Sequence, residues 1–144
     1  MTGTEDLLAR RRGAAARVPL DPGARSPASG VAVLACMDAR LGVEAMFALR
    51  PGDAHVIRNA GGCVTPDALD SLRLSQLRGG TREVVLVHHE DCAALDDPAG
   101  DLVRCLERLA ESPRLPHRDV VRGFLYTRGG ELREVRPRRA EAPS

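Results

Sequence analysis

Two cysteines and a histidine in this chain have the residue types and spacing of a metal site. Cys36 directly follows the apolar run 31–35, while His89 and Cys92 follow the apolar run 84–87 in the spacing H-x-x-C. Thiolate sulfur and imidazole nitrogen are typical zinc ligands, and three such ligands leave a tetrahedral ion one open position for chemistry. The same residues also fit a core cysteine beside an incidental loop histidine, and their spacing alone does not decide between these interpretations.

An acid and a base lie beside the first cysteine. Asp38 and Arg40 are two residues apart, so both side chains can point into one pocket. A carboxylate there can accept a hydrogen bond from zinc-bound water or coordinate the metal itself, while the guanidinium holds it by a charge-assisted pair. The alternative is an ordinary surface ion pair at the end of a strand.

The elements that must position these residues follow from hydrophobic patterning. Strands are predicted at 31–35, 54–57, 84–87, 120–126 and 132–135, and helices at 43–49, 66–79 and 99–111. This alternation predicts an α/β fold: a mostly parallel β-sheet flanked by helices, with an antiparallel C-terminal edge strand. Ligand sites in such sheets lie beyond the carboxyl ends of the strands, which directs attention to 36–40, 58–62 and 88–92.

Three segments are expected along the chain. Residues 1–30 are interpreted as an arm, with an Ala/Arg-rich helix over 5–16 and a Pro/Gly/Ser-rich linker over 22–30. Residues 31–136 form the predicted zinc domain, and residues 137–144 a C-terminal tail.

Composition argues against several classes of partner. The 21 basic and 20 acidic residues nearly balance, and there is one Tyr, two Phe and no Trp, which disfavours nucleic-acid binding. Apolar runs of about five residues are far short of the roughly 20 that span a bilayer. The charged N-terminus contains no apolar signal-peptide core, so we expect a cytoplasmic protein without a membrane partner.

The linked motifs resemble those of one enzyme family. The segment Cys36-Met37-Asp38-Ala39-Arg40 matches the C-x-D-x-R motif of β-carbonic anhydrases, and His89-Glu90-Asp91-Cys92 matches their H-x-x-C motif. The intervening segment 56–62 is also similar to the family. The similarity runs from about residue 31 to residue 135.

The resemblance implies a function and a set of roles. It implies reversible hydration of carbon dioxide to bicarbonate and a proton by zinc-bound hydroxide, with one Zn²⁺ per chain held by Cys36, His89 and Cys92. Asp38 and Arg40 would form the catalytic pair, with Asp38 as an alternative fourth ligand. The backbone at Gly61 and Gly62 is expected to line the substrate pocket, because glycine permits close approach.

The family resemblance further implies self-association as a dimer or tetramer, with the sheet extended between subunits and the arm lying over the partner. The chain departs from the family pattern in two places. Ala93 replaces a customary glycine, and the helical segment after Leu95 is shorter than is usual in the family. Two alternatives therefore stay open. One is hydrolysis of carbonyl sulfide or carbon disulfide at the same zinc site, and the other is a catalytically weak zinc-binding dimer.

Four further side chains are given structural roles at this point. His88 is expected to point away from His89 and to pack, since neighbouring residues of a strand face opposite sides. Cys63 is interpreted as a packed or free thiol, Cys105 as a core or boundary residue of a helix, and Asp91 as a residue that orients its loop.

Overall fold

A five-stranded sheet organises the computed structural model, which describes residues 2–14 and 19–137. The spatial order is β2-β1-β3-β4-β5, with the first four strands parallel and β5 antiparallel to β4. The predicted fold class is therefore confirmed. The strands are β1 (Val31–Cys36), β2 (Ala54–Asn59), β3 (Glu83–His89), β4 (Val120–Tyr126) and β5 (Leu132–Val135).

The centre of the sheet is formed by the two most apolar strands. β1 lies between β2 and β3, and helices cover both faces, so its continuous apolar sequence has no solvent-facing side. Ala32 and Leu34 belong to one core cluster, while Val33 and Ala35 belong to the cluster on the opposite face. This alternation fixes which side chains at the strand ends can meet.

In the described part of the chain, four α-helices accompany the sheet: α1 (Gly3–Gly13), α2 (Val43–Met46), α3 (Pro66–Gly79) and α4 (Pro98–Glu111). The buried leucines of α3 and α4 pack in the cluster that contains Leu34 and Leu86. Val43 of α2 packs in the other cluster with Cys36. Within the described residues α1 contains no buried side chain.

The boundaries of α3 agree with the sequence signals. The Thr65 hydroxyl accepts a hydrogen bond from the backbone N–H of Ala68, Pro66 occupies the first helical position, and Gly80 ends the helix in the left-handed conformation. α4 begins at Pro98, one residue earlier than predicted, because the Asp97 carboxylate accepts a hydrogen bond from Gly100 N–H and caps the helix.

Two other predicted helices differ in length. The helix predicted over 43–49 ends at Met46, since Ala48 takes a positive φ of 50° and the chain turns toward Pro51. The helix predicted over 5–16 spans Gly3–Gly13, and the last two residues of that prediction lie outside the described part of the chain. The predicted tail 137–144 also lies outside it except for Pro137.

Among the helices of the described residues, none combines the length and apolar character needed to cross a bilayer.

A tight turn after β2 depends on glycine. Gly62 has φ +67°, and a Cβ atom there would lie 2.9 Å from the backbone nitrogen of Cys36 and 3.0 Å from the carbonyl oxygen of Val87. Neither backbone atom can move without disturbing the pairing of β1 with β3. Both the left-handed conformation and the close approach therefore require glycine at this position.

We expect Gly62→Ala to lower the free energy of unfolding by about 2–5 kcal/mol, the sum of left-handed strain and overpacking. Gly80→Ala is the matched control, because Gly80 has φ +72° but, its chain neighbours and its own helix backbone apart, no described residue lies within 4 Å of the position that its Cβ would occupy. That control should cost only the left-handed strain, about 1–2 kcal/mol. Urea denaturation of both variants measures the difference, and equal losses would refute the packing argument.

Candidate metal centre

Three side chains of metal-ligating types meet at one edge of the sheet. Cys36 is the last residue of β1, His89 is the last residue of β3, and Cys92 lies in the loop that follows β3. One donor atom from each lies within 4.8 Å of the donors of the other two. Because β1 and β3 are adjacent and parallel, their carboxyl ends carry Cys36 and His89 to the same place.

The hydrogen bonding of His89 leaves its Nε2 lone pair available to a metal. His89 Nδ1 lies 2.7 Å from the backbone carbonyl oxygen of Glu90, so Nδ1 carries the proton and donates it. His89 Nε2 is buried and has no hydrogen-bond partner among the described residues. A buried nitrogen lone pair without a donor is costly in a fold, and a metal ion is a partner that removes this cost.

The two thiols also fit a cation. Cys36 Sγ and Cys92 Sγ are 3.9 Å apart, and Cys36 is only 4% exposed. Burial raises the pKa of the Cys92 thiol, and the adjacent Cys36 sulfur raises it further. Two thiolates at this distance repel each other unless a positive charge lies between them. The donor set of two sulfurs and one imidazole matches a zinc site with one open position.

An arginine fork holds the nearby carboxylate. Arg40 Nε and Nη2 donate to the two carboxylate oxygens of Asp38 at 3.0 and 2.8 Å, and the Arg40 backbone N–H donates to Oδ1 at 2.8 Å. These hydrogen bonds hold the pKa of the Asp38 carboxyl well below its usual range. Asp38 Oδ2 lies 3.8 Å from His89 Nε2, beyond hydrogen-bonding distance. The pair predicted from sequence therefore faces the cluster of donors.

Two residues support this arrangement in ways that the sequence analysis missed. Asp91 accepts from Arg40 through its side chain at 3.2 Å and through its backbone carbonyl at 3.1 Å. Arg58, at the end of β2, donates to the backbone carbonyls of Cys36 and Asp38. The sequence signal for Arg58 was its position in the strand-end segment 58–62, because an arginine there reaches the end of the neighbouring strand.

A cavity of about 180 Å³ opens beside the Asp38–Arg40 pair, and its lining includes His89, Tyr126 and Arg128. Gly61 and Gly62 are buried and lie behind the donors rather than among the residues that line this cavity. Their predicted contact with substrate stays a prediction. Their evident structural role is to let the turn pass close to Cys36 and, through Gly61, close to Leu95.

His88 points away from these donors, as the alternation of the strand predicted. It is fully buried on the opposite face of β3, and its Nε2 lies 2.8 Å from Asp101 Oδ2 of α4. The sequence analysis did not find this partner. The thiols of Cys63 and Cys105 both lie near the same carboxylate oxygen of Asp101.

The centre combines three metal-type donors with an ionised, oriented carboxylate. Such a set can bind zinc and leave space for a small substrate beside the Asp38–Arg40 pair. The donors, the carboxylate and the cavity are contiguous, since His89 belongs to the cluster and lines the cavity together with Asp38.

Comparisons with known proteins agree with this geometry. The family model for carbonic anhydrase matches residues 31–110. Beta-carbonic anhydrase 1 of Mycobacterium tuberculosis is 36% identical over 164 residues, covering 95% of this chain and 100% of that protein. The crystal structure of a carbonic anhydrase from Streptococcus mutans superposes with a TM-score of 0.82 at 28% identity, covering 94% of this chain and 98% of that one.

Carbon disulfide hydrolases are also similar to part of the chain. The enzyme of an Acidianus species is 48% identical over 63 residues, which is 44% of this chain and 31% of that protein. The family model covers more than half of the chain, and the mycobacterial relative is matched along its whole length. This chain belongs to the β-carbonic anhydrase family.

Proposed function

We propose that this protein catalyses the reversible hydration of carbon dioxide to bicarbonate and a proton, using one Zn²⁺ held by Cys36, His89 and Cys92. One observation carries the proposal. Among the described residues, the buried Nε2 of His89 has no hydrogen-bond partner, and it lies beside two thiols whose sulfur atoms are 3.9 Å apart. When bound, zinc would supply a Lewis acid that lowers the pKa of water and generates hydroxide near neutral pH.

In this proposal Asp38, Arg40 and Asp91 place charged groups beside the metal. Asp38 is kept ionised by Arg40, so its carboxylate accepts a hydrogen bond at the open side of the centre. Asp91 accepts hydrogen bonds from Nη1 and Nη2 of Arg40, and these bonds restrain rotation of the guanidinium. The nearby cavity of about 180 Å³ suits a small substrate. Asp38 is also the alternative fourth ligand.

Hydrolysis of carbon disulfide or carbonyl sulfide is the second candidate, favoured by the local identity of 48% to a carbon disulfide hydrolase. That similarity covers 31% of the hydrolase, whereas the mycobacterial β-carbonic anhydrase is matched over its full length. Carbon dioxide is therefore the first candidate substrate. A catalytically weak zinc protein fits less well, because a purely structural metal does not need the Asp38–Arg40 pair.

Self-association is part of the proposal. Among the described strands, β2 pairs on one side only, and every residue from Ala54 to Asn59 is partly exposed. An open parallel edge of this kind can continue the sheet into a second subunit. The exposed α1 would lie over that subunit. The division into an arm, a zinc domain over 31–136 and a tail stays a prediction.

Cys92→Ser should remove one equivalent of bound zinc per chain relative to the wild type, because serine oxygen replaces a thiolate ligand. Metal analysis of purified protein after exhaustive dialysis measures this change. Unchanged zinc content in this variant would contradict the ligand assignment.

Asp38→Asn should retain zinc and lower kcat/KM for carbon dioxide hydration by about 100-fold or more, since a positioned proton acceptor is removed. Asp96→Asn is the matched control, because Asp96 is an exposed carboxylate on the loop before α4. The control should keep the wild-type rate. An equal rate in both variants would exclude Asp38 from the reaction.

Stopped-flow hydration of carbon dioxide by the wild-type protein should accelerate between about pH 7 and about pH 8.5, because a zinc ion held by Cys36, His89 and Cys92 would lower the pKa of water into this range. Thiolates donate more electron density than imidazoles, so this pKa would lie above the value of about 7 that three-histidine zinc sites give. Asp38 does not contribute to this rise, because its lowered pKa keeps it ionised throughout the range. Full zinc occupancy without hydration, combined with sulfide release from carbon disulfide, would favour the second candidate.

A further inference from the structure

A second cluster of metal-type donors lies on the opposite face of β3. His88 is fully buried there, directly beside His89 in sequence but facing α4. Donor atoms of Cys63, His88 and Asp101 lie within 4.8 Å of one another. These residues come from the turn after β2, the end of β3 and the first turn of α4, so three separate parts of the fold converge.

The distances within this cluster centre on one carboxylate oxygen. Asp101 Oδ2 lies 2.8 Å from His88 Nε2, 3.6 Å from Cys63 Sγ and 3.5 Å from Cys105 Sγ. Zinc–sulfur bonds of about 2.3 Å and zinc–nitrogen bonds of about 2.0 Å separate tetrahedral ligands by roughly 3.3–3.8 Å. Small side-chain rotations therefore suffice to place the donors of Cys63, His88 and Asp101 around one ion.

Charge and burial favour a cation at this position. The pKa of the Cys63 thiol is raised to about 11 by burial and by the charge of Asp101, and that of Cys105 is raised to about 12, mainly by burial. Asp101 adds to the effect of burial on both thiols, and its carboxylate is a local negative charge that a divalent cation would neutralise. Cys63 is partly exposed and gives an ion access to the cluster.

We propose that Cys63, His88 and Asp101 form a second site for a thiolate-binding divalent cation such as Zn²⁺ or Cd²⁺. The Cys63 thiol releases one proton to solvent. The ion takes the place of the proton on His88 Nε2, and that proton moves to His88 Nδ1. The site ties α4 to the end of β3, behind the centre described above.

The competing interpretation is a hydrogen-bonded cluster in which Asp101 anchors α4 to His88 without any metal. The two interpretations differ in one observable, the number of thiolate-binding ions that the folded chain takes up. This second site does not depend on the proposed reaction, since it shares no ligand with Cys36, His89 and Cys92.

Titration with Cd²⁺, followed by thiolate-to-metal charge-transfer absorption, tests the site directly. The full-length Cys36→Ser/Cys92→Ser variant should still bind one Cd²⁺ per chain with this absorption. Adding Cys63→Ser should weaken that binding by at least about 100-fold, more than the loss of a residue outside the ligand set costs. Absence of charge-transfer absorption in the folded double variant would overturn the proposal.

The otherwise wild-type chain provides a second measurement in case the double variant does not fold. Wild-type protein should take up two equivalents of Cd²⁺, whereas Cys63→Ser and Asp101→Asn should each take up one, and the control Asp96→Asn should take up two. Uptake that is equal in wild type and Cys63→Ser would overturn the second site. If carbon dioxide hydration fails while the Cys63-dependent equivalent remains, the proposed function fails and this site stands.

Discussion

The parallel pairing of β1 with β3 is the constraint on which the rest of the site depends. It brings the carboxyl ends of two buried strands together, and with them Cys36 and His89. Gly62 passes within contact distance of both strand backbones and completes the edge. A displacement of this pairing by one residue would turn Cys36 or His89 to the other face and separate the donors.

Electrostatic support at this edge is organised around arginines. Arg58 binds the carbonyl groups of Cys36 and Asp38, while Arg40 holds the Asp38 carboxylate and is itself held by Asp91. Asp91 adopts a positive φ of 57°, in the left-handed region that Asp and Asn enter more readily than other non-glycine residues. In this conformation Asp91 accepts two hydrogen bonds from the arginine that orients Asp38.

Sequence reasoning was most successful where local physical signals are strong. Continuous apolar runs predicted β1 and β3, a capping threonine and proline predicted the start of α3, and motif spacing brought Cys36, His89 and Cys92 together. Arg58 and Asp101 were missed because their partners lie in distant parts of the chain. Strand alternation predicts that His88 faces away from His89, but it does not reveal which helix residue meets it.

The short connection between Cys92 and α4 links the two faces of β3. The alignment with the mycobacterial relative spans 164 residues, so at least 20 of its positions have no residue from this 144-residue chain. α4 here begins at Pro98, and its first turn carries Asp101 beneath the end of β3. The strand that presents His89 to one cluster therefore presents His88 to the other. Because His88 and His89 are adjacent residues of β3, contacts that fix one of these side chains also restrict the position of the other.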